Sequence, residues 1–323
     1  MTNILITGGA GYLGTTLVDT LMRGAKEIAS SLPYVEFSKL TVYDNLMYRQ
    51  TPLLNYCSDD RFHFVKGDVR NEEELAKVVR DADIIIPLAA VVGFPACEQD
   101  KTSAYDINVG HITTIIKYKK STAKIIYPNT NSGYGVGDRD EYCTEETPLN
   151  PVSYYGVTKC MAEKMVIDGG GVSLRLATVF GISPRMRMDL LVNDFVYKAY
   201  KDKYIVLFEH NFRRNYIHVK DVATAFIKGI KNYEVMGGEA YNVGLSNANL
   251  TKLELAQAIE KYTSFSIQID EIKEDPDKRD YLVSNDKIES LGWKPLFSLD
   301  DGIKELLKGY PIVDSFFHPY CNI

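Results

Sequence analysis

An apolar strand that runs straight into glycines at every third position restricts this chain more than any other feature. The segment Asn3-Ile4-Leu5-Ile6-Thr7 is followed at once by Gly8-Gly9-Ala10-Gly11-Tyr12-Leu13-Gly14. Such a run reads as strand, tight turn and helix start, the first unit of a parallel sheet. Gly8 permits the turn. Gly11 carries no Cβ, so backbone N–H groups can approach phosphate oxygens, and Gly14 lets the helix pack close to the strand. The helix N-terminus adds a partial positive charge. The pattern places a pyrophosphate site at Gly8, Gly11 and Gly14, with Tyr12 and Leu13 in the same turn.

The first half of the chain repeats that alternation. Expected strands are Asn3–Thr7, Leu40–Asp44, His63–Gly67, Asp83–Leu88, Lys124–Asn129 and Val172–Thr178. Amphipathic helical stretches such as Glu72–Arg80 and Ala104–Lys119 lie between them. The strands are rich in Val and Ile with little polar alternation, as burial on both faces requires. The expectation is an α/β fold, a Rossmann doubly wound parallel sheet with a smaller C-terminal substrate-binding lobe. Residues 1–180 form the dinucleotide-binding domain, 215–245 return to it, and 181–323 are mainly the lobe. After Phe180 the texture changes, with Ser183-Pro184-Arg185-Met186-Arg187 and expected helices at Leu253–Tyr262 and Leu299–Lys308. Ile217–Ile230 reads as a strand end and a helix. Ligands of open α/β sheets bind outside the carboxyl ends of the strands, so the site falls between the two parts.

Composition excludes several classes. The net charge of -6 gives no basic footprint for nucleic acid. No apolar run approaches the roughly 20 residues that span a bilayer, and the N-terminus reads as a strand and not a secretory signal. The five cysteines, Cys57, Cys97, Cys143, Cys160 and Cys321, are scattered and odd in number. A cytoplasmic setting without a disulfide framework or metal site is the expectation.

Two groups carry candidate chemistry. Asp44 ends the second expected strand, where a carboxylate accepts from both ribose hydroxyls of an adenosine and repels a 2′-phosphate, favouring NAD over NADP. It lies 30 residues after Gly14, against about 20 in the usual pattern, which a long helix and loop through Lys26–Ser38 would absorb. Asn45 follows it. Asp68, after the third strand, is placed to meet the adenine amino group through its side chain, and Val69 through its backbone; a helix cap for Asn71–Arg80 is the other reading of Asp68. Tyr155 and Lys159 stand four apart, on one face of a helix. A free phenol titrates near pH 10, and lowering that to about 7 takes roughly 4 kcal/mol. A lysine ammonium and an oxidised nicotinamide ring both act in that direction. The phenolate could then take a proton from a sugar hydroxyl while the carbon loses hydride.

Taken with Pro128-Asn129-Thr130-Asn131-Ser132-Gly133-Tyr134-Gly135, these residues resemble the extended short-chain dehydrogenase/reductase family, in its branch of nucleotide-sugar epimerases, dehydratases and 4-oxidoreductases. The resemblance also runs through Leu88-Ala89-Ala90, Asn108-Val109, Arg175-Leu176, Val192-Asn193 and Arg214-Asn215-Tyr216-Ile217-His218-Val219. It implies a catalytic set of Thr130, Tyr155 and Lys159, and it brings Leu88, Ala89 and Ala90 to the cofactor. It implies substrate contacts from Val92, Asn131 and Ser132, and a diphosphate clamp of Asn193 and Arg214, with Arg279 as a second arginine. Dehydratases of the family carry Asp-Glu where this chain has Asn131-Ser132, and its 3,5-epimerising members carry a cysteine at the place of Ser132. Both chemistries are therefore disfavoured here, which leaves hydride chemistry at C4. Cys97, with no visible base, reads as a packed cysteine, and His218 as a structural histidine.

The leading expectation is an NAD-dependent nucleotide-sugar 4-epimerase. A net 4-dehydrogenase, for example on a GDP-linked hexose or heptose, stays open beside it. So does a non-catalytic regulator with the same fold, although such relatives typically lose the Tyr or Lys. A reductase of small carbonyls is a third possibility, one that would not need the second lobe and the phosphate-binding arginine. The resemblance further implies a homodimer built on Ala104–Lys119 and Tyr154–Asp168.

Overall fold

The computed structural model describes residues 2–24, 34–48, 52–137, 141–270, 272 and 279–313. Most of the expected loop Lys26–Ser38, and Cys321, lie outside these. The strands in chain order are β1 (Asn3–Thr7), β2 (Lys39–Asp44), β3 (Phe62–Lys66), β4 (Ile84–Pro87), β5 (Lys124–Thr130), β6 (Tyr142–Cys143), β7 (Val172–Leu176), β8 (Thr178–Phe180), β9 (Tyr204–Leu207), β10 (Arg213–His218), β11 (Ala240–Val243), β12 (Asn249–Thr251), β13 (Ser266–Ile269) and β14 (Leu282–Val283). Seven of them form one parallel sheet in the order β11-β7-β5-β4-β1-β2-β3. The chain builds outward from β1 to β3, then restarts on the other side of β1 with β4. That reversal opens a crevice at the carboxyl ends of β1 and β4, where such sheets bind ligands.

The helices are α1 (Tyr12–Arg23), α2 (Glu72–Asp81), α3 (Phe94–Gln99), α4 (Lys101–Tyr105), α5 (His111–Tyr118), α6 (Tyr154–Asp168), α7 (Leu191–Lys201), α8 (Val219–Lys231), α9 (Tyr233–Met236), α10 (Lys252–Glu260), α11 (Asp286–Ser290) and α12 (Leu299–Val313). Side chains alternate across each strand, so β1 feeds two cores. Ile4 and Ile6 pack with Leu17, Val18 and Phe226 of α1 and α8 on one face. Leu5 packs with Leu75, Ile112 and Ala162 of α2, α5 and α6 on the other. Each such fully buried aliphatic side chain contributes about 1.5–3 kcal/mol, which is why the central strands read as unbroken apolar runs. Within 215–245, α8 packs on α1 and β11 forms the edge of the sheet.

Two expected elements differ in detail. Val172–Thr178 is two strands, because the chain leaves the sheet at Ala177 and Thr178–Phe180 pairs instead with β10. Ala104–Lys119 is a helix interrupted by a π-helical turn at Asp106–Gly110. The turn aims Asn108 inward: its Oδ1 accepts from Val91 N–H at 2.8 Å, and its Nδ2 donates to Val91 O at 3.1 Å and to Thr158 Oγ1 at 3.0 Å. His111, just after the turn, is buried and held down to about 4, so the ring is neutral. Its Nδ1 lies 2.6 Å from Ile107 O, and a carbonyl only accepts, so Nδ1 carries the proton and Nε2 faces Thr7 Oγ1 at 3.3 Å.

The remaining strands form a β8-β10-β12 sheet and the pairs β9/β13 and β6/β14. Helices α7, α10 and α12 pack around them. Helix α10 opens on a capping box, in which Thr251 Oγ1 accepts from Glu254 N–H at 3.1 Å and Glu254 Oε2 accepts from Thr251 N–H at 2.8 Å.

Candidate active site

The glycine turn forms the floor of a cavity of about 600 Å³ at the carboxyl ends of β1, β2, β4 and β5. Gly8 sits at φ +70°, and a Cβ there would stand 2.5 Å from Ala89 N. The loops after β1 and β4 can approach this closely only over a glycine. A Cβ on Gly14 would meet Gly9 Cα at 2.6 Å and Gly8 O at 2.7 Å, so the packing of α1 on the turn forbids one. Gly14→Ala is therefore expected to disturb the turn at a cost of about 1–3 kcal/mol and to weaken dinucleotide binding. Fluorescence titration beside a melting curve checks both; unchanged values would show that the turn tolerates the methyl group.

Asp44 is held at the rim by two backbone bonds. Ala10 N–H donates to Oδ2 at 3.0 Å and Leu46 N–H donates to Oδ1 at 2.8 Å. Each oxygen keeps a further lone pair for a ribose hydroxyl. Burial raises the carboxyl pKa, and those two bonds and the charge of Arg185 act against it. Asp68 also lines the cavity, but Arg70 forks onto it at 2.9 and 2.7 Å and holds it down to about 2. The cap of α2 is Asn71, which accepts from Glu74 N–H at 3.3 Å, so the helix-cap reading of Asp68 falls away. Tyr12, Leu13, Asn45, Val69, Leu88, Ala89, Ala90 and Val92 line the same cavity.

Across the cavity, α6 brings in Tyr155 and Lys159. Its start is fixed twice: Ser153 Oγ accepts from Gly156 N–H at 3.1 Å, and Glu98 Oε1 accepts from Tyr154 N–H at 3.2 Å. Thr130, the last residue of β5, donates through Oγ1 to Ser132 Oγ at 2.9 Å and accepts from Ser132 N–H at 3.1 Å. The Arg279 guanidinium bonds the same Ser132 Oγ. Lys159 Nζ lies 4.1 Å over the Tyr127 ring.

Beneath α6, Glu163 gathers the parts together. It accepts from Asn129 Nδ2 at 2.6 Å, Ser173 Oγ at 2.6 Å and the Arg175 fork at 2.7 and 3.1 Å. Arg175 also donates to Tyr134 OH and Glu145 O, both at 3.0 Å. One buried carboxylate thus ties the residue before Thr130 to the turn after Lys159.

The electrostatics depart from the expectation for Tyr155. Burial dominates and pushes the phenol up to about 12, while Arg279 and Arg187 pull it back. Burial likewise brings the Lys159 amine down to about 7. The protein's own groups do not acidify the phenol, because burial outweighs the charges of Arg279 and Arg187.

Two expected contacts are corrected. Asn193 does not line the cavity: it is buried, its Oδ1 accepts from Gly181 N–H at 3.0 Å and its Nδ2 donates to Arg187 O at 2.7 Å, which uses its amide within the protein. Asn131, between the lining residues Thr130 and Ser132, is buried and does not itself line the cavity, and neither of its side-chain polar atoms has a hydrogen-bond partner among the described residues. Arg214 and Ser132 do line it. Sequence reasoning missed Tyr48, Arg185, Arg187, Asp189, Lys252 and Tyr281, which complete the wall. The Pro/Arg cluster at 183–187 was their one visible signal. Cys97 is buried with its thiol pushed up to about 11, so it is not a thiolate. His218 is bonded to Glu305 at 2.8 Å and stacked on Phe297, in a structural role. Among the described residues no cluster fits a metal ion, and no helix is long and apolar enough to cross a membrane.

A parallel sheet with its switch point on a glycine turn, an aspartate closing the second strand and a Tyr–Lys helix opposite together define a dinucleotide-dependent oxidoreductase of the Rossmann type. The chain belongs to the NAD dependent epimerase/dehydratase family, whose model matches residues 4–244. NAD is the cofactor, and the glycine cradle and the rim carboxylate fit it. The chain is 26% identical to the low-salt glycan biosynthesis protein Agl12 of Haloferax volcanii, over 95% of this chain and 98% of that one. It is 25% identical to the CDP-paratose 2-epimerase of Salmonella typhi, over 94% and 97%. In fold it is similar to the dTDP-glucose 4,6-dehydratase DesIV of Streptomyces venezuelae, crystallised with NAD, at a TM-score of 0.82 and 23% identity over 98% of each chain.

Proposed function

We propose that the protein is a nucleotide-sugar 4-epimerase. The observation that carries this reading is that Thr130, Tyr155 and Lys159 line the same cavity as the glycine turn and Asp44. NAD, when bound, exchanges a hydride with a sugar carbon. Gly8, Gly11, Gly14 and Asp44 hold it, with Asp68 and Val69 toward the adenine. Tyr155 accepts the C4 hydroxyl proton at its phenolic oxygen, and Thr130 hydrogen-bonds the same sugar oxygen. Arg214 grips the substrate diphosphate, as a planar guanidinium suits an oxyanion. Ser132, tied to Thr130 and Arg279, stands where removal of water would need a carboxyl acid, which argues against dehydration.

The test is to denature the purified protein, identify the released nicotinamide and its redox state, and incubate the native protein with UDP-, GDP- and dTDP-sugars. Net epimer without added oxidant is the expected result. A keto sugar that accumulates only with an added hydride acceptor would make the protein a 4-dehydrogenase. Reaction of a small aldehyde alone would reject both.

The pairing of two copies is part of the proposal. Tyr105 on α4 and Val157 and Met161 on α6 are large apolar residues left exposed, at 41%, 36% and 42%. Packed against the same helices of a second copy they would form a four-helix bundle. Met161→Arg is expected to yield the mass of a single chain in sedimentation velocity; a wild-type chain that already sediments alone would end the idea.

A further inference from the structure

We infer that Glu98 is a positioning residue for Tyr155, the clasp that fastens the wall of the cavity after β4 to the first turn of α6. The inference rests on Tyr155 being the base of the reaction proposed above. Residues 88–96 line this side of the cavity and run into α3, whose N-cap Gly93 sits at φ +97°. Consecutive residues of α3 then face two ways. Cys97 is fully buried, and its Sγ donates to Val91 O at 3.3 Å, back onto the wall. Its backbone N–H donates to Gly93 O, also at 3.3 Å. Glu98 reaches across to α6, where its Oε1 accepts from Tyr154 N–H at 3.2 Å.

The first amides of a helix have no acceptor within it. In α6 two of them are met by side chains: Ser153 Oγ accepts from Gly156 N–H at 3.1 Å, and Glu98 takes Tyr154 N–H. Tyr155 is the residue between those two anchored amides. Ser153 is the helix's own cap, whereas Glu98 comes from the wall, so the second bond is the one that carries the position of the wall to the phenol. Lys101 aims the carboxylate: its Nζ lies 2.9 Å from Glu98 Oε2 and 5.4 Å over the Tyr154 ring. Lys101, and behind it Tyr154 N–H, hold the Glu98 carboxyl below its usual range, so the clasp is ionised at neutral pH. A negative charge also suits the positive end of a helix. Tyr155 and Lys159 both lie within electrostatic reach of Cys97, so α3 sits close against the pair it would position.

The test uses the full chain. Hydrogen exchange needs no substrate: Glu98→Ala is expected to speed exchange several-fold in both the wall, 91–96, and the first turn of α6, 154–158, because the two open as one unit. Glu98→Gln, which keeps an acceptor oxygen, should stay near wild type. With NAD bound and UDP-, GDP- and dTDP-glucose offered in turn, Glu98→Ala is expected to slow single-turnover hydride transfer about 3–10-fold, the effect of one lost hydrogen bond, and to leave nucleotide-sugar affinity within about twofold. In a Tyr155→Phe background the same change should cost nothing further, since the hydroxyl it places is gone. Faster exchange confined to 154–158, or an equal slowing with and without the Tyr155 hydroxyl, overturns the inference. So does a Glu98→Gln variant as slow as Glu98→Ala. Full turnover by Tyr155→Phe rejects the base, and the role of Glu98 with it; a disabled Tyr155→Phe beside a wild-type rate in Glu98→Ala rejects the clasp alone.

Discussion

Tyr155→Phe is expected to lower turnover by roughly 10²–10⁴-fold, the range in which a positioned general base contributes. The ring would still fill its place on α6, so NAD and nucleotide-sugar affinities should stay within a few-fold of wild type. The pH dependence sharpens the test. Burial pushes this phenol up to about 12, and a base works in its deprotonated form. Activity should therefore rise with pH until the phenol has titrated. The apparent value in the NAD-loaded enzyme should lie below 12, since a cationic ring beside a phenolate favours the charged form. Single-turnover hydride transfer across pH, read at the NADH absorbance, gives both numbers. Retention of full turnover by Tyr155→Phe would remove the proposed base.

The second large effect falls on the buried pair beneath α6. Arg175 and Glu163 are 7% and 3% exposed and bonded at 2.7 Å. Arg175→Met leaves the Glu163 carboxylate buried without its fork, at a cost of about 3–5 kcal/mol. For a chain of 323 residues that corresponds to a fall in Tm of about 4–7 °C. Replacing both, as Arg175→Met with Glu163→Leu, should recover much of the loss, because a buried ion pair exchanged for apolar packing is often neutral. A single variant that melts within a degree of wild type would mean that the network contributes nothing to the fold.

How much of this was legible depends on how local each signal is. The sheet was readable because two-sided burial writes Val and Ile runs into Asn3–Thr7 and its neighbours. Gly8–Gly14, Asp44 and Tyr155 with Lys159 were readable because each is a short spacing on a single element. Tyr48, Arg185, Lys252 and Tyr281 come from four separate segments, and only the tertiary fold brings them to one wall. Asn193 misled for a related reason. The residue sits at the start of a helix in the expected place, yet Gly181 and Arg187 take its amide. The phenol misled through burial: spacing reports that an amine is near, and says nothing of how little water reaches either group.

The π-helical turn at 106–110 makes chain length itself part of the site. Each residue of an α-helix advances the screw by about 100°. Deleting one residue there would restore even winding while swinging either Asn108 off Val91 or His111 off Thr7. Val91 lies in the loop that walls the cavity after β4, so the shape of that wall depends on an uneven count five residues long and well over a dozen positions downstream.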